Sequence, residues 1–273
     1  MLNRLYNQLL KLQTYIPFKL SVYVPNDMMS FYAFLSLYLQ SKSPSYRVYY
    51  DMSLNVPSLV KEFFSNHPNI ELKPTKRQPN IYQIQPKSHK RQCHRLINNP
   101  ETHILIQKWL SKTLESMKNE DTNIQKNNTI LIDLSMSRLN VAELTELLQN
   151  VQSIKCDHIF INCLNSPVIE EVASCIESKN MTLIHPFYVK RNGYQSLFQL
   201  ARDCNLFIGS FTPFSLFSLL LRPGKSSVIT VEDASDNYIF DQTDWPLSLR
   251  ADNSFRSYLT IEELIKEISA RYL

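Results

Sequence analysis

Residues 204–231 read CNLFIGSFTPFSLFSLLLRPGKSSVITV, and this stretch decides the fold class. Asn205 to Gly209 (NLFIG) is a short apolar run between polar residues, the pattern of a strand buried on both faces. Pro213 to Leu221 (PFSLFSLLL) opens on a proline, which suits a first helical turn. Its residues are apolar almost all round, as in a helix enclosed by other elements. Ser226 to Val231 (SSVITV) is again strand-like. Strand, helix and strand in succession make a βαβ unit, whose strands run parallel and are joined by a right-handed crossover.

The same rhythm extends in both directions. Upstream lie strand TILIDL (Thr129 to Leu134), helix VAELTELLQNV, strand HIFINC (His158 to Cys163), helix PVIEEVASCIES, strand MTLIH (Met181 to His185) and helix YQSLFQLARDC; downstream lies a closing helix, IEELIKEISARY. The N-terminal half alternates too, with FKLSVYV (Phe18 to Val24), an apolar helix FYAFLSLYLQ, strand YRVYY (Tyr46 to Tyr50) and a helix around SLVKEFF. Shorter extended pieces are expected near Asn69 to Leu72 and Ile81 to Ile84, and a helix over Thr102 to Lys118. The polar stretch KNEDTNIQKNN (Lys118 to Asn128) reads as a linker. The fold class is therefore α/β, with two Rossmann-like domains facing a cleft, one over residues 1–122 and one over 129–273.

Composition excludes several function classes. Only three glycines occur, Gly193, Gly209 and Gly224, so neither a dinucleotide finger nor a phosphate-wrapping P-loop can be built. Five cysteines (Cys93, Cys156, Cys163, Cys175, Cys204) form no CxxC pair, which argues against a disulfide framework or a zinc ribbon. No apolar run is long enough to span a bilayer. The first residues, with Leu2, Leu5, Leu9 and Leu12 at helical spacing, lack the apolar core of a signal peptide, so a cytoplasmic location is expected, with peripheral membrane contact as an option. The chain carries a formal charge of +4, yet residues 72–100 alone hold seven Lys or Arg and no acid. That basic loop, densest at 73–95, could hold a charged acceptor or anionic headgroups, or be a solvated loop. Only Tyr82 is interleaved with it, so nucleic acid is not expected as a partner. His89, Cys93, His94 and His103 fit no zinc spacing, and no metal is expected there.

In open α/β sheets ligands sit beyond the carboxyl ends of the strands. Two loops of the C-terminal half stand out by that rule. His185-Pro186 directly follows a strand. Gly209 to Ser215 runs from a strand into a helix; Gly209 permits close approach, while Ser210, Thr212 and Ser215 offer hydroxyls beside the helix N-terminus, either as ligand contacts or as helix caps.

The phrase FIGSFTPFSLFSLLLR resembles the nucleotide-sugar segment of GT-B glycosyltransferases, in particular the "FIG…SSFS…R" stretch of the GDP-fucose-dependent fucosyltransferase group. In that group a motif after the first strand of the domain supplies an arginine to the diphosphate. Its counterpart is Arg138 in SMSRLN, where the histidine and aspartate of the motif are absent. His185-Pro186 followed by a serine-bearing loop is also similar to bacterial sialyltransferases and teichoic-acid polymerases, which use CMP- or CDP-linked donors. The resemblance covers about residues 129–250 and implies a nucleotide-sugar donor, with a glycan or lipid-linked acceptor. It implies donor contacts from Arg138, His185, Gly209, Ser210, Thr212, Ser215, Arg222 and Glu232.

Glycosyl transfer needs a base for the acceptor hydroxyl. Asp27, in the loop after the first strand, is the best-placed carboxylate, and Asp51 ends the second strand; either could instead be a turn or cap residue. No DxD motif occurs, so no metal or other cofactor is expected and the leaving diphosphate falls to hydroxyls, amides and cations. The expectation is a metal-independent, inverting glycosyltransferase using a GDP- or CMP-linked donor. The alternative, favoured by the poverty in glycine, is a non-catalytic module that binds a nucleotide or a partner.

Overall fold

The computed structural model describes residues 19–41, 45–52, 56–84, 99–117, 128–134, 140–164, 172–174, 180–210, 213–222, 227–231, 255–258 and 260–272. Its N-terminal half runs β1 (Leu20–Val24), α1 (Met28–Gln40), β2 (Tyr46–Asp51), α2 (Leu59–Phe64), β3 (Ile70–Thr75), β4 (Tyr82–Gln83) and α3 (Pro100–Ser116). The C-terminal half runs β5 (Thr129–Asp133), α4 (Val141–Gln152), β6 (His158–Asn162), β7 (Met181–Ile184), α5 (Pro186–Asp203), β8 (Leu206–Ser210), α6 (Pro213–Leu221), β9 (Ser227–Val231), β10 (Phe255–Tyr258) and α7 (Ile261–Tyr272). The linker and the basic loop beyond residue 84 lie outside the described residues.

Both sheets are parallel. The first has the order β3-β2-β1-β4 and the second β10-β9-β8-β5-β6-β7. In each, the chain leaves a central strand in one direction and later returns to its other side. The reversal falls between β1 and β4 in the first sheet and between β5 and β8 in the second, and those are the points where an open sheet leaves a crevice. β5 and β6 are buried along their whole length, as their unbroken apolar runs predict. β2 alternates buried and half-buried residues instead, so Arg47, Tyr49 and Asp51 share the opposite face from Tyr46, Val48 and Tyr50.

Local chemistry sets the helix starts. Asp27 caps α1, accepting from Ser30 N at 2.8 Å and from Ser30 Oγ at 2.8 Å. Asn140 and Glu143 form a reciprocal capping box on α4. Pro100 opens α3 behind the Asn99 cap.

One apolar cluster spans both halves. It takes Val22, Phe31, Tyr32 and Phe64 from the N-terminal half and Phe198, Phe207 and Phe217 from the C-terminal half. Phe217 is fully buried, its ring centroid 6.0 Å from Phe31, 5.3 Å from Tyr32 and 5.1 Å from Phe198. Helix α6, apolar on every side, meets α1, α3 and α5 in this layer. A second cluster, around Ile132, Leu147, Ile161 and Leu264, closes the far face of the second sheet under α4 and α7.

Candidate functional site

At the β5/β8 crevice three residues meet. Asp133 ends β5 and is 1% exposed; Asn162 ends β6, is 2% exposed, and donates from Nδ2 to Asp133 Oδ1 at 2.9 Å. Gly209 in β8 is paired with Asp133, and a Cβ there would lie 2.9 Å from the Asp133 carbonyl oxygen and 3.0 Å from its Cβ. The glycine is therefore required by the approach of β5, not by its backbone angles. Gly209→Ala has to push the two central strands apart and is expected to cost about 1–3 kcal/mol, read as a lowered urea midpoint. Asp133 and Asn162 were not singled out by sequence; the signal was a polar residue closing each of two otherwise apolar strands.

The Cys163 thiol beside them is buried and held in its neutral form. Burial, with Asp133 adding to it, pushes Cys163 up to about 12.

His185 and the Gly209 loop are consecutive along the chain but not neighbours in space. His185 follows β7 at the sheet edge, with β6 and β5 between it and β8, which separates the two loops by roughly 14 Å at one strand spacing per step. The two loops stand at strand ends of the same sheet, three strand steps apart. His185 caps α5, its Nδ1 accepting from Phe187 N at 3.2 Å, and Phe187 beside it is 74% exposed.

The other expected donor contacts have mixed positions. Ser215 is fully buried in the first turns of α6. Arg222 is 4% exposed and sits at the opposite end of that helix, where it donates to the Ala201 carbonyl at 3.3 Å, to the Asn205 carbonyl at 3.0 Å and to Cys204 Sγ at 2.7 Å. These bonds tie α6 to the end of α5, away from the strand ends. For Ser210 only the backbone in β8 is described, and Arg138, Thr212 and Glu232 lie outside the described residues.

In the N-terminal half the two candidate bases lie at the ends of neighbouring strands. Asp27 follows β1 at the β1/β4 crevice and Asp51 ends β2, and the charge of each bears on Tyr23 of β1. Burial raises the Tyr23 hydroxyl first, and the charges of Asp51 and then Asp27 raise it further. Asp27 also bears on Tyr194 of the other half, pushed up to about 12 by burial and by Glu62, with a hydrogen bond to the Asn26 side chain working the other way.

Beside this point an open groove of about 590 Å³ is lined by Asp51, Ser58, Lys61, Glu62, Met117 and Gln195. Gln195 belongs to α5, so both halves contribute. The groove offers two carboxylates, an ammonium group, a hydroxyl and an amide around apolar walls, which is a surface able to hold a polyhydroxylated molecule. Burial raises the Glu62 carboxyl, against hydrogen bonds from the Gln195 and Tyr194 backbone that favour its charged form.

Among the described residues no cluster of three His, Cys, Asp or Glu is disposed to hold a metal ion, and no helix is long and apolar enough to cross a membrane.

No protein-family model matches the chain, and no curated protein matches it in sequence. Among solved structures it is similar to the ADP-heptose LPS heptosyltransferase II of E. coli, with a TM-score of 0.52 over 93% of this chain and 98% of that one, at 9% identity. At that identity the likeness is one of architecture: the chain shares the two-sheet α/β fold of a glycosyltransferase across nearly its full length.

Proposed function

We propose that the protein is a glycosyltransferase that takes its sugar from a nucleotide-linked donor. The observation that carries this reading is the pair of parallel sheets, each with a reversal crevice and chemically equipped strand ends, in the architecture of a heptosyltransferase. The donor occupies the β5/β8 crevice, where Gly209 and the start of α6 admit a diphosphate and Arg138, a few residues after β5 in the sequence, meets its charge. The acceptor lies on the N-terminal side, along the groove beside Asp51.

Asp27 takes the proton from the acceptor hydroxyl as its oxygen attacks the anomeric carbon. The bond from that carbon to the diphosphate oxygen breaks, and the nucleoside diphosphate, or monophosphate for a CMP-linked donor, leaves with the electron pair. The negative charge that develops is met by amides of the α6 N-terminus and by Arg138 instead of a divalent ion. This displacement inverts the anomeric centre.

The test begins with thermal shifts across GDP-, CMP-, UDP- and ADP-linked sugars, because a ligand that binds the folded chain raises its stability by mass action. The ADP-linked heptose is included because the structural neighbour is named for it. Stabilisation by one donor, with Arg138→Ala weakening its calorimetric affinity at least about tenfold, supports the assignment. Asp27→Asn retains an oxygen to cap α1 and removes the base, so turnover should fall by about 10²–10⁴ with donor affinity intact. Wild-type turnover in Asp27→Asn removes Asp27 from the mechanism.

The second reading, a non-catalytic module on this fold, has one observation in its favour. Ser215 is enclosed in the core and Arg222 is committed to the α5 end, so two of the expected donor contacts serve packing. Silence across the whole donor panel would select it.

A further inference from the structure

Helix α5 is interrupted. At Gly193 φ is 76° and ψ is 163°, so the first segment stops there and the helix restarts at Tyr194. A restart leaves new amide N–H groups with no carbonyl one turn back. Two of them are met from the other half of the molecule: Tyr194 N donates to Glu62 Oε2 at 2.8 Å and Gln195 N donates to Glu62 Oε1 at 3.1 Å. An ordinary cap comes from the residue just before the helix. Here the acceptor is carried by α2, 132 residues away along the chain from Tyr194. A Cβ at Gly193 would collide with Glu62 Oε1, so the glycine serves both the turn and the approach of the carboxylate.

The contact is part of a larger knot. The Asn26 side chain lies near the Tyr194 hydroxyl and favours its charged form. Asn26, in the turn after β1, donates to the Pro57 carbonyl at 3.0 Å and accepts from Leu59 N at 2.9 Å. The turn that carries Asp27, the start of α2 and the restart of α5 are thus one hydrogen-bonded unit. Directly below it Phe63 packs on Phe198 with ring centroids 5.1 Å apart, and Phe31 on Phe198 at 6.4 Å.

We propose that Glu62 is a positioning residue that couples the two halves: by capping the restart of α5 at Tyr194 it fixes that segment of the helix against the turn that carries Asp27. The two halves then hold one relative orientation across a shared core, with no hinge at this joint, and the strand-end loops of both sheets keep a set separation. The importance of Asp27 rests on the proposed transfer reaction; the coupling itself does not.

Hydrogen–deuterium exchange on the full chain tests it, comparing wild type with Glu62→Ala, Glu62→Gln and Gly193→Ala. In Glu62→Ala the amides of Tyr194 and Gln195 should exchange at least about tenfold faster, while those of β5, β6 and β8 stay within about twofold. The Leu59 amide should quicken as well, because it shares the short helix α2 with Glu62 and its Asn26 acceptor lies beside Tyr194. Glu62→Gln keeps one acceptor oxygen and should fall between the two, which guards against a Glu62→Ala chain that does not fold. Gly193→Ala should reproduce the Glu62→Ala pattern. Unchanged amides at residues 194 and 195 overturn the proposal, as does uniform acceleration through both sheets, which is the signature of general destabilisation. Acceleration at 194 and 195 with Leu59 unmoved overturns it too, because the cap would then be local to α5. A wild-type chain that binds no nucleotide sugar but shows the expected exchange pattern sinks the transfer reading and leaves the coupling in place.

Discussion

Phe217→Ala should lower the unfolding free energy by about 3–5 kcal/mol, the cost of emptying a large fully enclosed site that cannot collapse. The magnitude follows from position. Phe217 is on α6, a helix that meets α1, α3 and α5 together, and its ring contacts Phe31 and Tyr32 from one half and Phe198 from the other. Truncation removes dispersion contacts from both halves at once, and the surrounding rings are held by their own helices, so the space stays open. Urea denaturation followed by tryptophan fluorescence measures the effect, since Trp109 packs on Phe64 in the same layer with ring centroids 5.0 Å apart. A cost below about 1 kcal/mol would mean that the halves do not share a core at this point.

Acid should weaken the fold through His103. This residue is fully buried in α3 and hydrogen-bonds the Tyr32 hydroxyl through Nδ1 at 2.7 Å. Burial lowers its pKa from 6.5 to about 4. The sign follows directly: below pH 6.5 the unfolded chain takes a proton that the folded chain refuses, so stability is full above that value and is lost as pH falls towards about 4. Over that window the loss comes to roughly 3 kcal/mol at about 1.4 kcal/mol per pH unit. His67, whose pKa burial also lowers, pulls in the same direction. Urea midpoints at pH 7.5 and pH 4.5 should therefore differ strongly in wild type and much less in His103→Gln, which retains a polar partner for Tyr32 but does not titrate. Equal pH dependence in the two proteins would remove His103 as the cause.

Both predictions draw on residues whose character was visible in the chain but whose neighbours were not. PFSLFSLLL announces a helix enclosed on all sides, because no polar stripe is left to face water. That it is enclosed by helices of the other half could not be read from it. The candidate site divides in the same way. Asp27 after the first strand and Gly209 near the end of a buried one were picked out by the strand-end rule, and the strand order puts each at a point where its sheet reverses direction. Ser215 and Arg222 carried the right chemistry for a phosphate site but are taken up by packing and by the α5 carbonyls. Glu62 gave no sign, since a Lys-Glu pair in a short amphipathic helix reads as an exposed face. The helix restart at Tyr194 was visible, whereas the earlier segment from Pro186 was not, because Gly193 reads as a stop.

Element types, the buried character of β5, β6 and α6, and the α/β class come from the residues alone, since side-chain period, proline, glycine and caps act over a few positions. Strand order, the distance between His185 and Gly209, the common core of the halves and the reach of Glu62 to a helix 132 residues on do not. They depend on which apolar faces find one another once the sheets have formed, and any apolar face can pack on many others until the folded chain leaves room for only one arrangement.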